Sequence, residues 1–373
     1  MSDSKLQQEQ REQEQALGKV RDRIDEIDRE IHRLLNERAR CAQTVAEIKT
    51  KGGTEAAVFY RPEREAQVLR KVMSRNEGPL PDQEVARLFR EVMSVCLALE
   101  QPLNVVFLGP EANFTQQAAL KHFGHSVRCS ALDNLEAVFR DVEAGHANYG
   151  VVPIENAEDG VVNHALDLFS RFNLGICGEV ELSTHQHLLM VDSAELDKLE
   201  VIYAHPFAIN QCRHWIDARC GNLKCVEVES NAEAARRAAE SSTAAAIGGD
   251  IAADLFNLKV VQSNIEDQPD NRTRYLVVGR QAVGASGQDK TSILLMAHDR
   301  PGALYELLEP FRKRNISLTR VESRAAPQST WDMLFYVDFE GHEDSAEVAE
   351  LLQELESGSV ELKRLGSYPK AVL

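Results

Sequence analysis

Apolar residues recur at three- and four-residue intervals from Leu17 onward: Val20, Ile24, Ile27, Ile31, Leu34, Cys41, Val45 and Ile48. That spacing keeps one face of a helix apolar. Neither Pro nor Gly interrupts the pattern between Lys19 and Lys51, and Gly52-Gly53 predicts its end. The Gln- and Glu-rich residues 1–15 are expected to form a frayed or disordered lead. A helix of about 34 residues is about 50 Å long, so a partner chain is expected to cover its apolar face. Pro62 opens a second helix to about Arg75. A third spans about Asp82 to Leu99, with Val85, Leu88, Phe89, Val92 and Cys96 inward. Three helices without a strand signal predict an all-α domain over 11–101.

The pattern then changes. Short apolar runs, Val105–Leu108, Val151–Ile154, Leu188–Val191 and Leu276–Val278, are separated by helical stretches. Strands alternating with helices predict an α/β domain over 104–283. Gly284–Gln288 reads as a flexible linker. The remainder, 290–373, reads strand, helix, strand, strand, helix, strand: Thr291–Ala297, Ala303–Arg314, Ser317–Ser323, Met333–Phe339, Ser345–Glu354 and Val360–Leu365. That is a βαββαβ, ferredoxin-like order.

Length and charge sharpen this division. The chain has 373 residues, 42 Lys+Arg and 59 Asp+Glu, a formal net charge of −17. Such an acidic chain lacks the basic surface of a general nucleic-acid or anionic-membrane binder. No apolar run is long enough for a membrane span, and the N-terminus lacks a signal-peptide core. Seven Cys without a CxxC pair suit reduced thiols and a cytoplasmic location. The charge is uneven: residues 1–100 carry 18 basic and 19 acidic side chains, leaving 24 and 40 for the rest. A separate N-terminal unit with its own ligand preference is implied.

Within that unit, Arg38 occupies a position on the apolar seam between Leu34 and Cys41. A buried cation needs an anionic partner. An anionic ligand, or an ion pair with Glu37, Glu65 or Glu100, would satisfy it. Lys49 lies eleven residues later, about 20° away around the helix and about 16 Å along it. Two long cationic side chains can therefore clamp a small ligand. Arg21 is about 25 Å from Arg38 and about 100° around, so it serves such a site only in a neighbouring chain.

The segments Val20–Asp25, Leu34–Arg38, Lys49 and Arg61-Pro62-Glu63-Arg64-Glu65 resemble the all-helical chorismate mutase family across residues 17–100. The resemblance implies an intertwined homodimer whose sites are completed by an Arg from the partner, here Arg21. Chorismate, a dianion, rearranges to prephenate by a pericyclic step. The enzyme holds the compact conformer and stabilises charge at the breaking ether bond. By resemblance, Arg21 and Arg38 bind the carboxylates, Lys49 donates to the ether oxygen, Glu65 orients the ring hydroxyl, and Arg61 and Arg64 line the pocket. Cys96 stands where the family often has Ser, and Glu100 where it often has Gln. A carboxylate at Glu100 would repel the ether oxygen, so it is expected to act when protonated.

Phe107–Glu111, Val152–Asn156, His205-Pro206 with Gln211-Cys212, and Asn271–Tyr275 resemble prephenate dehydratase, in that family's order. This implies two α/β lobes with a site in their cleft, where prephenate loses CO₂ and water to give phenylpyruvate. By resemblance Thr273 is the key hydroxyl. Arg274 is expected to pair with a carboxylate; Asn156, Thr115 and His185 are expected at the substrate. Where the family has Gly, a hydroxyl, a hydroxyl, Ser and Gln, this chain has Ala112, Asn113, Ala157, Ala204 and Phe207. His185 and His187 are spaced for a metal pair on a strand, but the family reaction needs neither metal nor cofactor, and no further ligand sits at suitable spacing.

The βαββαβ segment, with Asp299–Leu304 after its first strand, resembles an ACT regulatory domain. Gly302-Ala303-Leu304 and Glu322-Ser323-Arg324 match the motifs that bind phenylalanine in that family, with Ala325 replacing a Pro. Together the resemblances imply a chain that binds chorismate and prephenate and answers to phenylalanine. The alternative is an active mutase whose dehydratase-like domain is impaired or only binds ligand.

Overall fold

The computed structural model describes residues 2–51, 59–157, 160–221, 223–298, 300–325, 332–357 and 361–373. Gly52-Gly53, the expected helix stop, Asp299 and Val360 lie outside the described residues. The chain forms two compact units, Met1–Tyr60 with Val92–Pro102, and Arg61–Glu91 with Leu103–Leu373.

The first unit is dominated by helix α1, Ser2–Lys51, which is 50 residues long and so spans about 75 Å. The expected disordered lead is helical instead. Its Gln, Glu, Lys and Leu residues are good helix formers, and extending an existing helix requires no new nucleus. The apolar stripe of α1 is bare in the single chain: Leu17, Ile24 and Ile31 are 48–50% exposed and Ile48 66%. Helices α2 (Pro62–Ser74) and α3 (Asp82–Glu100) follow. Pro62 sits in the first turn of α2, where its missing N–H costs nothing.

The second unit continues with two lobes. The first holds β1 (Asn104–Leu108), α4 (Phe114–Phe123), β2 (Arg128–Leu132), α5 (Leu135–Ala144), β3 (Tyr149–Asn156), β4 (Gly160–Val161), α6 (Asn163–Arg171) and β5 (Gly175–Ser183). The second holds β6 (His187–Met190), β7 (Val201–Ala204), α7 (Pro206–Gln211), α8 (Arg213–Cys220), β8 (Lys224–Glu227), α9 (Asn231–Ala239), β9 (Ala244–Gly248), α10 (Asp250–Leu255) and β10 (Lys259–Gln262). Strand β11 (Arg272–Gly279) then returns to the first lobe. The sheet orders are β2-β1-β3-β11-β5, with β4 on β3, and β10-β6-β9-β7-β8. Two segments cross between the lobes side by side: Thr184 N donates to Asn271 O and Ile265 N to Gln186 O, each at 2.9 Å.

The C-terminal part is β12 (Asp289–His298), α11 (Ala303–Lys313), β13 (Leu318–Ala325), β14 (Asp332–Glu340), α12 (Ala346–Ser357) and β15 (Glu361–Pro369), with sheet order β13-β14-β12-β15. The continuous apolar run Ile293-Leu294-Leu295 arises because both faces of β12 are covered. Ile293 and Leu295 pack with Phe311 and Leu351, whereas Leu294 joins Phe139, Phe169 and Ile176 of the first lobe. Residues 284–288, expected to be a flexible linker, are pinned. Ser286 is buried and its N–H donates to Asp289, while Arg70 donates to Ser286 Oγ at 3.0 Å.

Strand β15 crosses β5 closely at Gly366, whose φ is +135°. A Cβ there would lie 2.6 Å from Ile176 O. Gly366→Ala therefore adds a backbone clash to a strained φ, and is expected to destabilise the second unit by about 2–3 kcal/mol. Urea unfolding of both proteins measures this; an unchanged midpoint would show that β15 and β5 are not held this close.

Candidate functional sites

The helical site residues divide between the units. In the first, Arg38 and Lys49 are half-buried on the same face of α1. Arg38 Nη1 reaches Val92 O at 3.4 Å. Lys49 Nζ reaches Phe59 O at 3.5 Å and lies 5.1 Å over the Phe59 ring. Glu100, at the end of α3, is half-buried. Burial raises its carboxyl above the ordinary range, while Lys49 and Arg38 pull it back. Cys96 is buried, one helical turn before Glu100. Arg21 is exposed on the same uninterrupted helix, so helix geometry keeps it about 25 Å from Arg38. Arg61, Arg64 and Glu65 belong to the second unit. Arg61 and Arg64 are exposed, and Glu65 is paired with Arg90 at 3.2 Å. Burial raises the Glu65 carboxyl and Arg90 opposes it. Arg90 also donates to the carbonyls of Lys121 and His122, at the end of α4.

Between the lobes, β11 and β3 bring Thr273 opposite Asn156. Asn156 Nδ2 donates to Thr273 Oγ1 at 2.7 Å and to Asn271 Oδ1 at 3.0 Å. Thr273 is thus an acceptor toward Asn156 and keeps its own proton to donate. Thr184 Oγ1 is 3.2 Å away. His185 follows it, and its Nδ1 lies 2.7 Å from Glu266, whose other oxygen accepts from Gln186 N. His187 faces Asp250 at 3.1 Å, so each histidine of the pair has its own carboxylate. Thr115 is buried in the first turn of α4. Thr184 and Glu266 were missed in the sequence because their partners lie 89 and 81 residues away.

Arg274, expected at a substrate carboxylate, is bound instead by the protein. It contacts Glu179 at 3.0 Å and Asp338 at 2.7 Å, and donates to Tyr368 Oη at 3.1 Å. Successive strand residues face opposite ways, so Thr273 faces Asn156 and Thr184 while Arg274 faces the C-terminal sheet. Lys290 also pairs with Glu179, at 2.8 Å.

In the C-terminal part, Gly302 has φ +88° and caps α11; Ala303 and Leu304 open that helix, with Leu304 exposed. Glu322, Ser323 and Arg324 lie on the edge strand β13. Arg324 turns toward the first lobe and meets Asp167 at 2.8 Å.

The comparisons divide the chain into three stretches. The chorismate mutase type II profile matches residues 20–101, prephenate dehydratase 105–283, and the ACT domain 291–357. The bifunctional chorismate mutase/prephenate dehydratase of Pseudomonas aeruginosa is 50% identical over 359 residues, covering 96% of this chain and 98% of that one. This chain belongs to the bifunctional chorismate mutase/prephenate dehydratase family. Among solved structures, a prephenate dehydratase from Arthrobacter aurescens in complex with L-Phe superposes with TM-score 0.65 at 31% identity, covering 72% of this chain and 90% of that one. GqqA, described as a quorum quenching acylase, also superposes at 0.65, with 25% identity over 72% of this chain and 98% of its own. The fold alone therefore does not fix the reaction, and the site residues must carry it.

Family membership gives meaning to the departures. Ala112 has φ +60°, a left-handed conformation that glycine adopts freely. Asn113 replaces a hydroxyl yet still caps α4, accepting from Gln116 N at 2.9 Å. Ala157 contributes its backbone, donating to Arg272 O at 2.9 Å. Ala204 is buried at the end of β7, and Phe207 N donates to His205 Nδ1 at 3.2 Å. The turn geometry is preserved at the first two positions, whereas hydroxyls are lost at Ala157 and Ala204.

No helix among the described residues is long and apolar enough to cross a membrane. All seven cysteines are free.

The raised Glu100 carboxyl sets a pH dependence. If its protonated form donates to the ether oxygen, mutase turnover is full below that raised value and falls as pH rises through it. Glu100→Gln is expected to remove this alkaline fall in kcat. The same fall in the variant would assign it to another group.

Proposed function

We propose that the chain converts chorismate to prephenate in its helical part and prephenate to phenylpyruvate between the two α/β lobes, in the cytoplasm, under feedback control by phenylalanine. Near-full-length identity to bifunctional relatives, together with the intact Thr273–Asn156 hydrogen bond, carries this reading.

In the mutase site, Arg38 and Arg21 from a partner copy take the two carboxylates. Lys49 and protonated Glu100 donate to the ether oxygen, and Cys96 lines the pocket. The resemblance also assigns Glu65, Arg61 and Arg64 to this substrate. The step breaks the ether C–O bond and forms a C–C bond within one cyclic array, so the protein contributes conformation and charge, not a nucleophile. The exposed stripe of α1 and the reach of Arg21 both favour a homodimer.

In the dehydratase site, Thr273 gives its hydrogen bond to the departing ring hydroxyl, whose C–O bond breaks with its electron pair and which takes up one proton from solvent to leave as water. The C–CO₂ bond breaks, and its electron pair completes the aromatic ring. Asn156 holds Thr273 for that donation, while Thr115 and His185 line the substrate space. At the regulatory site, phenylalanine lies against Gly302, Ala303 and Leu304 and against Glu322 and Ser323. The open space around Gly302 supports this, as does the L-Phe complex of the Arthrobacter protein. Arg324 acts from the lobe-facing side of β13.

Purified chain is expected to form phenylpyruvate from prephenate, with the rate falling on adding phenylalanine. No product at high enzyme concentration would favour the mutase with an impaired dehydratase-like domain. Arg21→Ala and Arg38→Ala are each expected to lose mutase activity. Reassembled as an equal mixture, they recover roughly a quarter of wild-type rate, because half the dimers then hold one intact site. Absence of recovery would mean that Arg21 does not act across a dimer.

A further inference from the structure

Strand β13 presents Arg320, Glu322 and Arg324 on one face by its two-residue period. Two of these reach into the first lobe. Arg324 meets Asp167 and the carbonyl of Asn163, at the start of α6. Arg320 Nη1 meets Glu155 Oε2 at 3.4 Å. Glu155 immediately precedes Asn156, whose amide holds Thr273, and β4 pairs with both residues. Both arginines therefore grip the corner of β3, β4 and α6 that carries the dehydratase hydrogen bond.

The Arg320 contact is loose. Its guanidinium is largely buried, its distance to Glu155 exceeds a good charge-assisted hydrogen bond, and its Nη2 is buried without an acceptor among the described residues. A buried donor left unpaired favours any movement that supplies a partner. A small shift of β13 against β3 would turn this one-point contact into a two-point grip and move Asn156 with it.

We propose that Arg320 is a positioning residue of the dehydratase site, which holds Glu155, and through it Asn156, in place against Thr273. This rests on the dehydratase reading above. It gives the effector site a short route to the chemistry, because Arg320 is two residues from Glu322 on the same strand face. Phenylalanine against β13 changes the grip, and the grip changes the Asn156–Thr273 geometry.

The test measures both activities of the full-length chain, so that mutase turnover reports folding. Arg320→Ala is expected to lower dehydratase kcat by roughly tenfold with KM within about twofold, to leave mutase turnover unchanged, and to blunt phenylalanine inhibition. Glu155→Gln is expected to give a similar loss, and the double variant no further loss. If Arg320→Ala lowers both activities, Arg320→Gln, which keeps much of the stem and removes the charge, decides on the same criteria. Wild-type kcat and inhibition in the deciding variant, or additive losses in the double variant, would overturn the proposal. A wild-type chain that makes no phenylpyruvate would overturn the dehydratase reading and this proposal with it.

Discussion

Strand β11 is fixed by what its two faces must hold. On one face Thr273 accepts from Asn156. On the other, Arg274 is largely buried among Glu179, Asp338 and Tyr368. Burial works against the Arg274 charge, but Tyr368, Asp338 and Glu179 outweigh it and hold the guanidinium firmly protonated. Breaking such a cluster by removing one partner strands the remaining buried charges. A slip of one residue would exchange the two faces, placing the arginine in the cleft and the threonine among the acids. The cluster therefore sets the register that presents the Thr273 hydroxyl to Asn156.

The same cluster joins the regulatory sheet to the reactive lobe. Glu179 comes from β5, Asp338 from β14, and Tyr368 from β15. Beside it, the apolar core is continuous from Phe139 and Phe169 to Leu294, Tyr336 and Leu365. The C-terminal sheet thus covers one side of the first lobe. The helical part follows a different logic. Its cations lie on a helix whose apolar stripe is exposed in the single chain, which is why the proposed mutase site draws on a second copy.

Much of this was legible in sequence because it is local. The shift from a three-to-four period to short apolar runs separated the helical part from the α/β lobes, and the βαββαβ order followed from spacing alone. Arg38 stood out because a charge interrupted an otherwise apolar seam. The misreadings share a cause. Arg274 looked like a substrate ligand because its acids lie 95 and 64 residues away on strands whose pairing no local pattern encodes. The Glu266 partner of His185 was invisible for the same reason. Residues 1–15 lacked an apolar stripe and read as disordered, although their helix propensity extends α1. Gly284–Gln288 has linker composition but is held by Arg70 and Asp289.

The central claim is that β11 presents Thr273, held by Asn156, as the donor of the second reaction while remaining independent of the first. Steady-state phenylpyruvate formation by Thr273→Val tests it most directly, because valine keeps the branched shape and removes the hydroxyl. The account predicts a fall in kcat on the order of a hundredfold or more, with chorismate turnover by the same preparation unchanged. A valine variant that forms phenylpyruvate within a few-fold of wild type would contradict it.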